Sequence, residues 1–386
     1  MEIKQLDRGR SHLRVVVVDS RVVSWLTVID YRMRVGSSNV KMGAIAEVET
    51  KRRFRKKGYM RALMEDTVRY MRNRGDVMSV VFGISDFYYR FGYVSCIPSR
   101  SLSVYTRVAE KAGDSDQNRR FRVRKARKAD REKLLSIYDH NTKGRMCTLV
   151  RDVDYFLGYA KVGQEAAVVE DGRRRLLGYV VHNRNDRDLR VAEVAAVTPD
   201  VYPVLMKRLA SVAIKRRVGN FTLDLTPDDP FAEFCHRQGC QWTRKYHKNA
   251  HTMMQVIDQQ RLFRAMRRDL ERRVRHSEYA NRLARLTLKT ELGQTTFKLA
   301  KGHLEVASGG RRGKTIELPE GQLTQLVVGY RSAGDVLDAA GVRADERSCR
   351  LLAILFPLGH PRIWNGDRFE ERHLGPDDFP LPRNGG

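Results

Sequence analysis

Cysteine is scarce in this 386-residue chain: Cys96, Cys147, Cys235, Cys240 and Cys349 are scattered, and no two form a CxxC pair. A sparse, odd set excludes a disulfide scaffold, and without a cluster at metal-ligand spacing no metal site is expected. Long hydrophobic runs are missing as well. The longest near the N-terminus is the four-valine stretch Val15–Val18, too short for a signal peptide and far from the ~20 apolar residues that span a bilayer. The reading is a cytoplasmic protein without membrane contact. Acidic residues are outnumbered 46 to 73 by Lys and Arg, which leaves a net charge of +27. So large an excess requires an anionic counterpart somewhere, whether nucleic acid, lipid or a phosphorylated cofactor.

What is present divides into three blocks, and their pattern predicts a mixed α+β architecture. The expected domains are residues 1–108, 120–256 and 257–386, with the polar stretch from Ala109 to Arg120 as a linker. The first block opens as a meander of strands (Leu13–Val18, Val22–Met33, Val40–Val48) with turn signals at Asp19-Ser20 and Gly36–Asn39. Its period then changes. Met60, Leu63, Met64, Thr67, Val68 and Met71 recur at helical spacing and predict a helix over Tyr59–Arg74, stopped by Gly75. The second block echoes this order from a strand at Phe121–Arg124 to a strand through Trp242–Met254. The third block begins with an Arg-rich helical stretch over 261–286, read as an oligomer contact or a solvated face, and continues as α+β. The tail from Gly375 reads as extended or disordered.

One segment carries chemistry. In Val48-Glu-Thr-Lys-Arg-Arg-Phe-Arg-Lys-Lys-Gly58-Tyr59, a basic turn joins a strand to the start of a helix. Unpaired N–H groups and the positive end of the helix dipole meet there, and Gly58 lets the backbone approach a ligand closely. That is an anion nest suited to a pyrophosphate, ringed by Arg55, Lys56 and Lys57. The competing reading, a solvated basic loop, is disfavoured by the run's position between a strand and an amphipathic helix.

Arg55-Lys-Lys-Gly58-Tyr59-Met60-Arg61-Ala62-Leu63-Met64 resembles the acetyl-CoA loop of the GNAT superfamily of N-acyltransferases, in the variant of the Eis-type (enhanced intracellular survival) acetyltransferases. Phe87-Tyr88-Tyr89-Arg90-Phe91-Gly92-Tyr93 resembles a second segment of that family, and Phe356–Phe369 resembles its closing segment. The resemblance implies two tandem GNAT domains followed by a sterol-carrier-protein-like domain. The second GNAT domain would be catalytically silent, because Val197–Met206 has no basic-Gly turn. It also implies acetyl-CoA as co-substrate, direct transfer to a primary amine (a polyamine, aminoglycoside or lysine-like acceptor) and a homo-oligomer, a hexamer by family resemblance.

By the same resemblance, backbone N–H groups near Val48 and Thr50 hold the pantetheine arm, and Arg55, Lys56, Gly58 and Tyr59 contact the pyrophosphate. Tyr88 is the general acid toward the departing thiolate. Taken alone, Tyr88 would read as a core aromatic, as Phe87, Tyr89, Phe91 and Tyr93 do. Three departures from the family pattern stand out. The first domain is expected to lack its first strand and helices. About 17 residues follow Phe369, where the family places a terminal carboxylate as base, so no base is assigned. Arg52 replaces a usual proline. The rival expectations are a non-catalytic acyl-CoA-binding or scaffolding protein and, from charge alone, a nucleic-acid binder; the latter lacks interleaved exposed aromatics or a helix-turn-helix.

Overall fold

The computed structural model describes residues 1–113, 119–153, 163–184, 187–309, 313–363 and 375–380. Its N-terminal elements are β1 (Glu2–Arg8), β2 (Ser11–Val18), β3 (Arg21–Val35), β4 (Ser38–Thr50), α1 (Tyr59–Arg74), β5 (Met78–Gly83), β6 (Val94–Ile97), β7 (Ser99–Tyr105) and α2 (Thr106–Ala112). There follow β8 (Phe121–Lys125), α3 (Arg131–Thr142), β9 (Gln164–Asp171), β10 (Leu176–Asn183), β11 (Arg190–Ala196), α4 (Tyr202–Lys215), β12 (Asn220–Leu223), α5 (Pro230–Gln238), β13 (Gln241–Lys245) and β14 (His251–Val256). The last part comprises α6 (Gln259–Arg275), β15 (Ala284–Thr290), β16 (Gly293–Ala300), β17 (His303–Ser308), β18 (Lys314–Glu317), α7 (Glu320–Val327), α8 (Ala333–Ala340) and α9 (Glu346–Leu355).

Three sheets organise the chain: β1-β2-β3-β4-β5-β14-β6, β13-β7-β12-β11-β10-β9-β8, and the four-stranded β17-β16-β15-β18. Read from β8, the second sheet repeats the first position by position. Each carries one parallel pair, β4·β5 or β11·β12, bridged by a helix, α1 or α4. Each also takes its sixth strand from beyond its own block: β14 completes the first sheet, and β7 completes the second. The expected boundaries at 108 and 256 therefore cut through an exchange of strands. Pro98 separates β6 from β7 and ends the pairing of one sheet where the next begins. The single strand expected through Trp242–Met254 is likewise two, β13 and β14, in different sheets.

Other expectations shift for local reasons. The first strand of the first lobe is present as β1, paired along its length with β2 through a turn at Gly9-Arg10. What differs from the second lobe is the connection, since α3 lies between β8 and β9. The sheet face that α3 covers there, with Leu134, Ile137 and Tyr138 on Val168, Tyr179 and Val181, corresponds to a cluster of Leu13, Val15, Val17, Val22 and Trp25 on which Phe379 of the tail packs. Arg8 pairs with Asp378 beside it at 3.6 Å. Part of the expected 109–120 linker is helix α2, and residues 114–118 of it lie outside the described residues. The Arg-rich helix ends at Arg275, and Leu286 belongs to β15, where Leu286, Thr287 and Leu288 are buried in succession.

Helix α1 has the predicted bounds. It buries Leu63, Met64, Thr67 and Met71 against Val16, Leu26, Val28 and Ile45, and Gly75 caps it in the left-handed conformation. Helix α6 buries Leu262, Phe263, Met266, Leu270 and Val274 and presents arginines outward, paired to Glu271 and Asp269 one turn away. The buried carboxylate of Asp269 also accepts from Ser37 at 2.7 Å, which docks the β3–β4 hairpin tip on the third lobe. Among the described residues no helix is long and apolar enough to cross a membrane, and no group of three or more His, Cys, Asp or Glu residues could hold a metal ion.

Candidate active site

The site is a notch opened by sheet geometry. Strands β4 and β5 run parallel from Met42·Met78 to Ile45·Val81, and the pairing stops there. On the other edge of β4, the register with β3 slips between Thr27·Ala46 and Trp25·Glu49, so Glu47 and Val48 face Leu26 alone. Glu47 takes a positive φ of 52° in this bulge. A bulge bends and twists its strand, and here it swings β4 away from β5. Past Ile45 the edge of β4 that would face β5 has no strand partner, which leaves a V-shaped cleft of about 720 Å³, within the usual range for a ligand site. Val48, Glu49 and Thr50 form one wall, and Ile84, Phe87, Tyr88, Arg90 and Phe91 line the other.

At the mouth stands the basic turn. Residues 52–54 make one 3₁₀ turn, Lys56 has φ 63°, and Gly58 caps α1 with φ 84°. Gly58 is needed there for its φ, because a Cβ at this position would meet nothing within 4 Å. No side chain caps the helix and no acidic residue lies in its first turn, so its leading N–H groups face the cleft with the dipole behind them. Arg55, Lys56, Lys57, Arg61 and Arg90 line the cleft and form no ion pair among the described residues. Arg55 also braces the turn, its Nε donating to Thr50 O at 3.0 Å. Phe54 carries Arg53 at 4.8 Å and Lys57 at 5.6 Å over its ring.

Tyr88 occupies the inner end, in a 3₁₀ turn over Tyr88–Phe91. Its ring meets Phe87 edge-on at 4.9 Å and lies against Gly83 so closely that a Cβ there would come within 2.7 Å of it. Sequence reasoning passed over Gly83; a glycine ending a buried strand just before an aromatic run was the available signal. Tyr88 is only 5% exposed, and burial pushes its hydroxyl up to about 12. Its neighbour Tyr93 is locked, donating to Ser79 Oγ at 2.7 Å while Ser79 donates to Gly43 O. Of the four residues read as core aromatics, Tyr93 is core and Phe87 and Phe91 are half-buried. Tyr89 is not core: it is 43% exposed, with Arg90 over its ring.

All seven sequence-predicted residues (Val48, Thr50, Arg55, Lys56, Gly58, Tyr59 and Tyr88) line this one cleft. Glu49, a carboxylate in the same wall, was missed because strand alternation gives it no signal apart from its neighbours. The described part of the expected closing segment, residues 356–363, does not line this cleft, and Phe369 and Gly386 lie outside the described residues.

Residues 3–96 match the family model of the acetyltransferase (GNAT) domain. The chain thus carries a GNAT acetyltransferase domain and is an acyltransferase by class. No curated protein matches it. Among solved structures, a GCN5-related N-acetyltransferase from Kribbella flavida aligns at 21% identity and TM-score 0.70 over 90% of this chain and 86% of its own. A GCN5-related N-acetyltransferase from Anabaena variabilis aligns at 16% identity and TM-score 0.71 over 90% and 88%. Eis1 from Mycobacterium abscessus aligns at 16% identity and TM-score 0.66 over 94% and 92%. The fold over nearly the whole length is thus shared with Eis1 and with the two GCN5-related N-acetyltransferases.

Proposed function

We propose that the protein is an acetyl-CoA-dependent N-acetyltransferase that acts on primary amines by direct transfer. One observation carries the reading. A single cleft joins an uncapped helix N-terminus ringed by unpaired cations to a buried tyrosine hydroxyl, across the gap between two parted parallel strands. The residues fit the donor. N–H groups at the start of α1, with Arg55, Lys56 and Tyr59, hold a pyrophosphate, and the unpaired edge of β4 at Val48 and Thr50 takes an extended amide-bearing arm as a strand would. Bound acetyl-CoA supplies an activated acetyl group on sulfur.

The acceptor amine attacks the acetyl carbonyl, the new C–N bond forms as the C–S bond breaks, nitrogen gives up a proton, and sulfur leaves as a thiolate that takes its proton from solvent. Glu49, in the cleft wall, accepts the nitrogen's proton. Tyr88 donates a hydrogen bond to sulfur as negative charge gathers there. With its hydroxyl near 12 and a thiol reference of about 8.5, full transfer of the phenolic proton is uphill, so Tyr88 acts by stabilising charge and retains its proton at neutral pH. Holding donor and amine together supplies the rest of the acceleration. Thiol release from acetyl-CoA with a polyamine acceptor tests the reading. Turnover that falls about 100-fold in Tyr88→Phe, with acetyl-CoA still bound, supports it; an unchanged rate sinks the role of Tyr88.

A further inference from the structure

A second cleft, of about 780 Å³, lies where all three lobes meet. Val94 and Ser95 of β6 come from the first sheet, Arg244 of β13 and the loop 246–249 from the second, and α7 with the turn after it from the third. The chain's closing stretch crosses that turn, with Gly359 N donating to Gly329 O at 2.9 Å. The cleft does not overlap the first: no residue lines both.

Its charge resembles that of the first cleft. Arg244, Lys248 and Arg331 converge on it, and none forms an ion pair among the described residues. Asp335 is the one acid in the lining, and it is occupied: its carboxylate accepts from the hydroxyl of Ser332 at 2.7 Å and from that residue's N–H. Three cations against one carboxylate leave the concavity with an excess of positive charge, and an anion relieves the repulsion among them. His360 adds a polar atom, its Nδ1 shut away from solvent with no hydrogen-bond partner among the described residues.

The lining is also aromatic. Tyr246 is 59% exposed, an unusual state for a ring beside a cavity, with the Arg244 guanidinium 5.1 Å over it and Tyr330 tilted 6.2 Å away. An exposed ring beside a guanidinium offers a stacking platform for a flat, electron-rich heterocycle.

We infer that this junction is a binding site for a nucleoside polyphosphate, its phosphates held by Arg244, Lys248 and Arg331 and its base stacked on Tyr246. A ligand there touches every lobe. It also sits one hydrogen-bonded step from the catalytic turn, since Asn249 O accepts from Asp86 N at 3.0 Å and Asn249 Nδ2 donates to Asp86 Oδ1, two residues before Tyr88.

The test is calorimetric titration of the full chain, first saturated with acetyl-CoA, with ATP and in parallel with inorganic tripolyphosphate. The expected result is one ATP per chain and at least ten-fold weaker tripolyphosphate. The doubly substituted Arg244→Glu, Lys248→Glu protein and the Tyr246→Ala protein should each lose ten-fold or more in ATP affinity with acetyl-CoA affinity unchanged. These side chains are exposed, so folding is not at stake, and the retained acetyl-CoA binding confirms it. Absence of ATP binding at millimolar concentration overturns the inference, as does competition between ATP and acetyl-CoA. Equal affinity for tripolyphosphate removes the nucleoside, and a ten-fold tighter single-stranded oligonucleotide replaces the proposal with a nucleic-acid surface.

Discussion

The two seven-stranded sheets have the same order, the same parallel pair and the same bridging helix, yet their notches differ in volume. In the first, β4 and β5 part beyond Ile45·Val81 and leave about 720 Å³. In the second, β11 and β12 part beyond Val191·Leu223, but the chain fills the space and about 30 Å³ remains. Arg362 donates to Ala192 O at 3.3 Å. Beneath it, Arg151 grips Glu193 with two hydrogen bonds of 3.0 and 2.8 Å, and Tyr179 donates to the same carboxylate.

The helix starts differ in the same sense. Basic residues and Gly58 lead into α1, whereas Pro199, Asp200 and a second proline, Pro203, lead into α4. Proline removes N–H donors, and Asp200 places negative charge where an anion would sit. A parted pair of strands is therefore only an opportunity; side chains decide whether it becomes a site or a core.

The comparison can be broken at either notch. The largest effect is expected in the filled one. Arg151→Leu leaves Glu193 buried without its cation (both side chains are at most 6% exposed) and should cost about 3–5 kcal/mol of stability; chemical denaturation measures it, and the acetyl-CoA dissociation constant should not change. In the open notch, Gly58→Asp should abolish acetyl-CoA binding in calorimetry, because the new carboxylate takes the anion's place. The positive φ at position 58 strains any side chain by about 1–2 kcal/mol, so a modest fall in thermal stability should accompany the lost binding. A loss of folding instead would break the assignment.

A third test uses pH. Because burial holds the Tyr88 hydroxyl near 12, it keeps its proton throughout the working range, and turnover should show no falling limb between pH 8 and 10.5. A limb near 10, absent in Tyr88→Phe, would mean an ordinary phenol and overturn the buried geometry. The smallest effect should come from Arg362→Ala. Emptying the second notch should leave acetyl-CoA stoichiometry at one per chain, since α4 still begins with prolines and Asp200. A stoichiometry of two would show that the plug, and not the helix start, is what separates the two notches.

Much of the first notch was legible in the sequence. The 3.6-residue recurrence from Met60 to Met71 fixed α1, Gly75 its end, and the run from Arg55 to Gly58 the turn that feeds it. These are local signals, each resolved within one turn of chain. The strand exchange was not legible. β7 and β14 are short apolar segments whose patterns fit either sheet, and pairing partners more than a hundred residues away leave no trace in local periodicity. Glu49 and Gly83 escaped for a related reason: one becomes a cleft carboxylate only when β4 swings away from β5, and the other matters only because a ring from the next turn lies on it.

The sequence by itself determined α1, the basic turn with its glycine, and the excess charge that needs an anion, because propensity, turn chemistry and charge are properties of neighbouring residues. Tertiary structure decided which sheet each strand joins, which of two equivalent notches stays open, and where the unpaired cations gather, because packing and burial depend on chain segments that only folding brings together.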